Sequence, residues 1–525
     1  MKSSKKEISR YTAIFAGGTL VSRVLGMFRD MVIGYVVPDA SRDAFFFAFR
    51  FPNMLRDMLG EGAANAAFVP VFTESQEKDP PEQYRALVSA AMSGMLILFA
   101  ALTIIGLILI PFIPWVLDLL RPLTHAAPKS DEHLQFTVKL IEWNFPYMFL
   151  IGMAVFAMGP LFAARHYSTP SWSPMLLNIA LIVCCLGFYR WFPDPAWALT
   201  VGVWVGGIAQ LIVLWAAMKK HVGVIMPNFR LKQPGVRKIA WLLIPIILGQ
   251  ATGEVNKLVD SFFAYSLESG VVSALFYANR LVQLPLSVFG VAVSVAILPE
   301  ISRAAARGKH AVIRDTLTHG LRLSFFMMLP ATAGLIIMGK PVIRLLFEHG
   351  NFGSNMTSMT TTALVYFGLG LLPFAWVKVC VQGFYAEQNT KTPVIIATVS
   401  MALNILLICA LVGPLGFRGL ALATTISYTM NFLLLYVLLC NRFGVLWDKD
   451  MLFAFARIGI ATALMAAVTY GVFDRLDHFI GHETLWAQGF NVVISIATAC
   501  LSFIGVSHAL KIPEYHDLLS GLRRH

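Results

Sequence analysis

The sequence has 525 residues, of which 57% are hydrophobic and only 13% are charged, and its mean hydropathy is +0.69. This composition lies far from that of soluble domains and excludes a soluble domain of useful size. The formal net charge of +12 is typical of a membrane protein whose basic cytoplasmic loops face anionic lipid, so we expect no nucleic-acid partner.

The chain begins with a basic segment, MKSSKKEISR, and the apolar stretch that follows is interrupted by Arg23 and Arg29. This stretch lacks a small-residue cleavage site of the kind that follows a signal peptide. We therefore expect a first membrane span that is retained.

Apolar stretches of about 18 residues or more recur along the chain, and each is long enough to cross about 30 Å of hydrocarbon. Their pattern predicts an all-α polytopic membrane protein with about fourteen transmembrane helices. The helices are expected to begin near residues 12, 43, 86, 137, 171, 195, 238, 270, 318, 356, 391, 416, 451 and 486.

Two loops between predicted spans are strongly basic. The loop after the sixth span holds six lysines and arginines and no acidic residue over 219–238, and the loop after the eighth span holds Arg303, Arg307, Lys309 and Arg314. Basic loops favour the cytoplasmic side of a membrane. The two loops are separated by two spans, so both can be cytoplasmic, and counting outward places both termini there as well.

The chain contains an internal repeat. The segments AFFFAFRFPN and ALFYANRLVQ align Arg50 of the second span with Arg280 of the eighth, and FAARHYSTP at Phe162 resembles FYAEQNTKTP at Phe384. A repeat of six spans re-enters the membrane in the same direction, so its halves should be related by an axis along the membrane normal.

This repeat predicts two pseudo-symmetric six-helix lobes around a central cavity, an arrangement common in transporters. We expect the first lobe over residues 1–228 and the second over 229–441. The last two helices, over 442–525, lie outside the repeat.

Ionisable side chains inside spans are costly if they face lipid, so they normally face a bundle interior or a water-filled cavity. Guanidinium groups stay charged and bind phosphate at two points, so several of them predict a receptor for a pyrophosphate headgroup. The alternative is that these arginines extend to the membrane–water interface or pair with nearby acidic residues. For Arg50, neither interpretation is favoured over the other. The residues concerned are Arg23, Arg29, Asp30, Arg50, Arg56, Asp57, Glu61 and Arg280, with Lys378 as an isolated charge in the tenth span.

The seventh span carries Glu254, Lys257 and Asp260 at a spacing that favours local ion pairing. A second interpretation is that Asp260, with Asn404 and Thr424 from later spans, supplies oxygen ligands to a coupling monovalent cation. No other cofactor is expected.

Three segments of the sequence are specific enough to be compared with a known family: SRVLGMFRD over 22–30, DAFFFAFRFPNMLRDMLGEGAANAAFVPVF over 43–72, and FYANRLVQLP over 276–285. They resemble the MurJ/MviN family of lipid II flippases. The resemblance implies a MATE-like exporter fold whose last two helices form a lipid-tail groove. It also implies that lipid II, an undecaprenyl-pyrophosphate-linked peptidoglycan precursor, moves from the cytoplasmic to the periplasmic leaflet of a bacterial plasma membrane by alternating access.

The resemblance implies roles for single residues. Asn279 and Gln283 stand where the family has acidic residues beside the eighth-span arginine, so we expect amide hydrogen bonds in place of ion pairs there. The implied substrate-binding residues are Arg23, Arg29, Arg56 and Arg280, to which we add Lys378. The implied gate residues are Asp30, Asp43, Glu61 and Ser273, with Asn279 and Gln283.

Two alternatives stay open. One is an exporter of drugs or of another polyprenyl-linked glycan, which the same architecture permits. The other is a membrane-embedded transferase, which would need clustered acids or histidines. The histidines are scattered, and the six cysteines lie in apolar runs without metal-ligand spacing, so we expect a transporter and not an enzyme.

The expected partners are lipid II and membrane lipids, and other cell-wall synthesis proteins are candidates. We expect the chain to act as a monomer. It has no GxxxxGK[ST] loop, so membrane potential or a cation gradient is expected to drive transport.

Overall fold

The computed structural model describes residues 2–58, 67–127, 129–447 and 449–523. The described chain is helical, and it divides into two compact units. The first unit comprises residues 1–272 with 350–352, and the second comprises residues 273–349 with 353–525. The predicted lobes at 1–228 and 229–441, and the two extra helices predicted over 442–525, stay predictions.

The described residues of the first unit form eleven α-helices in this order: Lys2–Val36 (α1), Asp39–Met58 (α2), Val69–Lys78 (α3), Pro81–Leu109 (α4), Ile113–Thr124 (α5), Asp131–Asn144 (α6), Tyr147–Ala163 (α7), Ser168–Trp172 (α8), Pro174–Phe188 (α9), Pro195–His221 (α10) and Pro234–Ser266 (α11). Short 3₁₀ turns at Ile110–Phe112 and Tyr189–Trp191 follow α4 and α9.

The remaining helices are Val271–Pro285 (α12), Val291–Ala306 (α13), His310–Phe347 (α14), Ser354–Leu369 (α15), Leu371–Ala386 (α16), Lys391–Leu415 (α17), Phe417–Phe443 (α18), Lys449–Ile480 (α19), Leu485–Ala509 (α20) and Pro513–Arg523 (α21). A π-helical turn at Leu286–Gly290 joins α12 to α13.

Twelve helical stretches of the described chain are long and apolar enough to cross a membrane. Helices α1 and α2 lie outside those twelve, so the expected fourteen spans are an approximate number. The predicted class, an all-α polytopic membrane protein, is confirmed.

Close helix packing in the first unit positions α9 beside α1. A Cβ atom added to Gly206 of α10 would lie 2.8 Å from the Cα of Leu177 in α9, and one added to Gly18 of α1 would lie 2.9 Å from the backbone oxygen of Ser171. Small residues allow helices to approach closely in lipid, where packing replaces the hydrophobic driving force. Gly206 therefore holds α10 close to α9, the helix that carries Asn178, and Gly18 holds α1 close to α8, the short helix that precedes α9.

In the first unit a polar link joins α3, which lies outside the twelve candidate spans, to the first turns of α11. The Glu74 carboxylate accepts hydrogen bonds from Lys238 at 2.6 Å and from Lys78 at 3.0 Å. These bonds, that of Lys238 first, lower the pKa of Glu74 to about 2. A carboxylate with a lowered pKa stabilises the fold at pH values above its ordinary range and loses this effect as the pH falls toward 2. The link is therefore complete near neutral pH.

The second unit is held by apolar packing and by a buried ion pair. Ile301, Leu317, Val379 and Leu439 belong to one cluster that joins α13, α14, α16 and α18. The final helix α21 docks through Arg322 of α14, whose Nε donates to Glu514 at 2.6 Å with the glutamate side chain almost completely buried. Helices α19 and α20 pack against each other and against α14.

Candidate functional site

The first predicted substrate-binding residue that the structure buries is Arg29 of α1. Its Nε and Nη2 donate to Oδ1 of Asp30 at 2.9 Å and 2.5 Å, and its Nη1 donates to Oδ1 of Asn178 in α9 at 3.0 Å. Arg29 is 9% exposed and Asp30 is 0% exposed. Pairing with nearby acidic residues was one of the two interpretations of these arginines, and the structure shows an ion pair between Arg29 and Asp30.

Asn178 was missed by the sequence analysis, although it is an amide within an otherwise apolar run, PMLLNIALIV. Its Nδ2 donates to the backbone oxygen of Ser22 at 3.2 Å, while its Oδ1 accepts from Arg29. The Asn178 amide thus bonds both the backbone of α1 and the Arg29 side chain, and it holds that side chain in one orientation. A buried polar group in an apolar run is the signal that could have identified it.

We predict that Asn178→Leu lowers transport by roughly tenfold, because it leaves a buried Arg29 N–H without its acceptor, a loss of about 1–3 kcal/mol. Transport of the variant is measured in liposomes, and its thermal unfolding in detergent. The matched control is Asn144→Leu, which removes another buried amide of the first unit, bonded to Leu140 and Thr200. An equal loss of transport in both variants at equal stability would contradict a specific role for Asn178.

Arg56 of α2 forms a looser pair with its neighbour Asp57. The Nη2 and Nε atoms lie 3.2 Å and 3.4 Å from Oδ1, and both side chains are about one-third exposed. Pairs of this kind contribute only about 0–1 kcal/mol. The ion pair between Arg56 and Asp57 therefore adds little to the stability of the fold.

Arg29 and Arg56 both lie within electrostatic reach of the Tyr147 hydroxyl in α7. Tyr147 is completely buried. Arg23 lies on the exposed surface of α1, six residues before Arg29. The described part of the first unit thus joins two of the predicted arginines, while Arg23 occupies a different face of its helix.

A second charge cluster links α2 to α11. Nη2 of Arg50 donates to Oε2 of Glu254 at 2.9 Å, and Nζ of Lys257 donates to Oε1 of the same carboxylate at 2.6 Å. The predicted local pairing of Glu254 with Lys257 is confirmed. Glu254 is 6% exposed, so this carboxylate is held between two cations, as burial of a charge requires.

Asp43 has the geometry expected of a residue that fixes a turn. It is 1% exposed, and its Oδ2 accepts from the Gly270 backbone N–H at 2.6 Å. Gly270 has a φ of +96° and lies between α11 and α12. Of the other predicted gate residues, Ser273 is completely buried and Glu61 lies outside the described residues.

Arg42 was also missed, because one arginine near the start of a helix carries no distinctive pattern. It is completely buried, and its Nη1 donates to the backbone oxygens of Gly34 and Val37, while Nη2 pairs with Asp39 at 2.5 Å. Its guanidinium lies 5.2 Å from the ring centroid of Phe352. Arg42 therefore satisfies carbonyls at the end of α1 and fixes the turn into α2.

The predicted substrate-binding residues of the second unit lie on α12 and α16. Arg280 is exposed, and its guanidinium carbon lies 5.5 Å from the ring centroid of Phe276. Asn279 and Gln283 are exposed on the same helix, and Lys378 is half-buried on α16. The π-helical turn after Pro285 follows this segment directly, and a proline that cannot continue the hydrogen-bond ladder accounts for it.

The predicted cation ligands fall in both units. Asp260 lies half-buried on α11 of the first unit. In the second unit, Oδ1 of the buried Asn404 accepts from Ser427 at 3.4 Å, and Thr424 donates to the backbone oxygen of Leu420 at 3.1 Å. Among the described residues, no group of three or more His, Cys, Asp or Glu side chains is arranged to hold a metal ion. The coupling cation stays a prediction.

Comparison of the sequence with known families gives a match to the model described as lipid II flippase MurJ over residues 37–489. A probable lipid II flippase MurJ from Vibrio cholerae is 32% identical over 478 residues, which cover 90% of this chain and 90% of that protein. A probable lipid II flippase MurJ from Haemophilus influenzae is 32% identical over 516 residues, which cover 94% of this chain and 99% of that protein.

Solved structures show the same likeness. A lipid II flippase MurJ in an inward closed conformation superposes with a TM-score of 0.77 at 26% identity, covering 96% of this chain and 99% of that one. An inward-facing multidrug resistance MATE family transporter gives a TM-score of 0.62 at 16% identity, covering 81% and 95% of the two chains. An outward-facing MATE family transporter gives 0.55 at 15% identity, covering 84% and 96%. The last two share the fold.

Proposed function

The chain belongs to the MurJ family of lipid II flippases, and from this membership we infer that it flips lipid II and acts as a lipid transporter, not an enzyme. The observation that carries this conclusion is the family match over residues 37–489. The helical stretches that can cross a membrane agree with a multi-pass protein of the inner membrane. We propose that both termini are cytoplasmic, as the basic loops at 219–238 and 303–314 favour.

We propose that the cationic side chains of the first unit receive the pyrophosphate of lipid II. Taking a pyrophosphate out of water without compensating charge would be prohibitive, and charge-assisted hydrogen bonds from arginine offset that cost. Arg29 is supported by Asp30 and Asn178 in one orientation, so it would contribute a fixed positive group. Arg56 is loosely paired, so it would turn from Asp57 to a phosphate oxygen. Arg23 would meet the headgroup as it enters.

The second unit contributes its own candidates. The exposed Arg280 carries a guanidinium that a phosphate can approach, and Lys378 would add a second positive charge. We propose that Asn279 and Gln283 bond through their amides at the gate, with Ser273, Asp43, Asp30 and Glu61 as further gate residues.

Transport by alternating access moves the headgroup from the cytoplasmic to the periplasmic leaflet. Solved relatives of this fold are described as inward closed, inward-facing and outward-facing, which supports such a cycle. The undecaprenyl tail stays in lipid or along α19 and α20. Large apolar side chains such as Phe453 and Leu501 are exposed there, which favours contact with a hydrocarbon chain.

Membrane potential is the proposed source of energy. An inside-negative potential assists the outward movement of a negative headgroup by about 2.3 kcal/mol per charge per 100 mV. A monovalent cation bound through Asp260, Asn404 and Thr424 is the alternative source. Flipping that responds to a clamped potential and persists when Na⁺ and K⁺ are replaced by choline would favour potential alone, whereas flipping that ignores the potential would overturn this proposal.

A competition binding experiment separates lipid II from the other substrates that this fold permits. Purified protein is mixed with labelled lipid II and with unlabelled competitors: lipid II, an undecaprenyl-pyrophosphate bearing a different glycan, and a cationic drug. We expect lipid II to compete best and the drug not to compete. Binding of the drug in preference to lipid II would overturn the assignment. We also propose that the protein is a monomer, which light scattering of the same sample tests. Other cell-wall synthesis proteins are the protein partners that we propose.

A further inference from the structure

Lys129 lies in the short connection between α5 and α6, and neither the family resemblance nor the proposed headgroup contacts give it a role. Its Nζ lies 4.8 Å from the ring centroid of Tyr265 in α11. A lysine ammonium at this distance from an aromatic face is attracted by the ring quadrupole. The side chain is half-buried, so the connection turns this lysine inward and does not leave it in solvent.

Tyr265 is a rigid support for that ammonium. Its ring stacks on Phe47 of α2 with a centroid distance of 4.5 Å, and its hydroxyl forms a hydrogen bond of 2.6 Å with Thr137 of α6. The His133 ring stacks on it at 6.3 Å. Tyr265 is 1% exposed. Three helices, α2, α6 and α11, therefore fix the ring beneath the lysine.

Asp43 lies on α2 one helical turn before Phe47, so both side chains project from the same face of that helix. The carboxylate is 1% exposed and accepts from the Gly270 N–H at 2.6 Å. A carboxylate buried to this degree is costly unless positive charge and hydrogen bonds compensate it. The titratable groups near this cluster include Asp43, Lys129 and His133, with Asp194 acting on His133, and Asp118 and Arg121 line the same cavity as Lys129 and Tyr265.

The electrostatics of Lys129 agree with this geometry. Burial lowers the pKa of its ammonium, and the Asp43 carboxylate raises it. The lysine and the carboxylate thus stabilise each other's charged forms, as expected of groups that interact in a partly desolvated environment.

We propose that Lys129 is a positioning residue for Asp43: its ammonium, seated on the Tyr265 ring, compensates the buried carboxylate and so keeps it bonded to the Gly270 turn. This inference rests on the proposed role of Asp43 at the gate. The connection between α5 and α6 thereby controls the turn that leads into α12, although it contributes no group to the headgroup contacts.

The test reads the Gly270 amide itself, because that N–H donates to Asp43. Hydrogen exchange of the peptide containing this amide is measured by mass spectrometry for the full-length protein and for Lys129→Met, Asp43→Asn and the double variant. We expect Lys129→Met to speed exchange of this amide about tenfold, a change of about 1.4 kcal/mol. In the Asp43→Asn background the same change is expected to alter exchange less than about twofold.

Two further variants complete the experiment. Lys129→Arg keeps the charge and should restore most of the protection. Arg121→Gln removes a neighbouring cation that pairs with Asp118 at 2.8 Å and is half-exposed, and it should leave the Gly270 amide unchanged. Exchange that is unaffected by Lys129→Met, or that rises equally in the Asp43→Asn background, would overturn the proposal.

Transport measured on the same variants separates this inference from the gate role of Asp43. If Lys129→Met speeds hydrogen exchange of the Gly270 amide and also lowers flipping, the positioning role of Lys129 and the gate role of Asp43 are both supported. If Lys129→Met speeds exchange of this amide and flipping is unchanged, Lys129 still positions Asp43, but the gate role of Asp43 is contradicted.

Discussion

Arg29→Ala is expected to abolish the flipping of lipid II. The substitution leaves the completely buried Asp30 without the cation that bonds it at 2.5 Å and 2.9 Å, and removal of one partner from a buried pair costs about 3–5 kcal/mol. It also removes a proposed contact to the pyrophosphate. The measurement is growth of a strain depleted of its own flippase and supplied with the variant at normal protein level, for which we expect no growth.

A compensated variant separates loss of fold from loss of the functions proposed for this pair, which are headgroup binding by Arg29 and gating by Asp30. Arg29→Ala combined with Asp30→Asn removes both charges, so it should unfold at nearly the wild-type temperature but remain unable to flip lipid II. Arg29→Lys keeps the charge but loses the two-point geometry, and it should retain only part of the activity. Full growth with Arg29→Ala would show that this arginine is dispensable.

Arg280→Ala is expected to reduce flipping by at least about tenfold while leaving the free energy of unfolding within about 0.5 kcal/mol of wild type. We expect flipping and not stability to change because Arg280 is exposed and its guanidinium lies over the Phe276 ring, so its removal loses little packing. Flipping is measured in liposomes, and stability by thermal unfolding in detergent.

The matched control for Arg280 is Arg303→Ala. Arg303 is another exposed arginine, on α13, and its Nε donates to the backbone oxygen of Pro299 at 3.1 Å. We expect this variant to flip lipid II at the wild-type rate. Equal losses in the two variants would indicate a general effect of positive charge and would contradict a specific contact at Arg280.

The helices were predictable because a membrane span has a strong signal. About 20 apolar residues are needed to cross the hydrocarbon, and the backbone must satisfy its own hydrogen bonds there. The expected starts near residues 195 and 391 agree with Pro195 of α10 and Lys391 of α17. The breaks within spans were less visible, and the π-helical turn at Leu286–Gly290 was not predicted from Pro285 alone.

The partners of the charged residues could be predicted only where they are local in sequence. The pair of Glu254 with Lys257 follows from their spacing on one helix, whereas the bond from Arg50 to Glu254 joins residues 204 positions apart. The bond from Arg29 to Asn178 spans 149 positions. Such contacts depend on which helices pack together, and hydropathy carries no information about that choice.

The most direct test of the central claim is flipping of fluorescent lipid II by the purified protein in liposomes, with the leaflet of each molecule read by a membrane-impermeant quencher. We predict that wild-type protein exchanges lipid II between leaflets and that Arg303→Ala behaves as wild type. Arg29→Ala should exchange it no faster than protein-free liposomes, and Arg280→Ala should exchange it at least about tenfold more slowly than wild type. Wild-type protein that binds lipid II but moves it no faster than protein-free liposomes would contradict the assignment as a flippase.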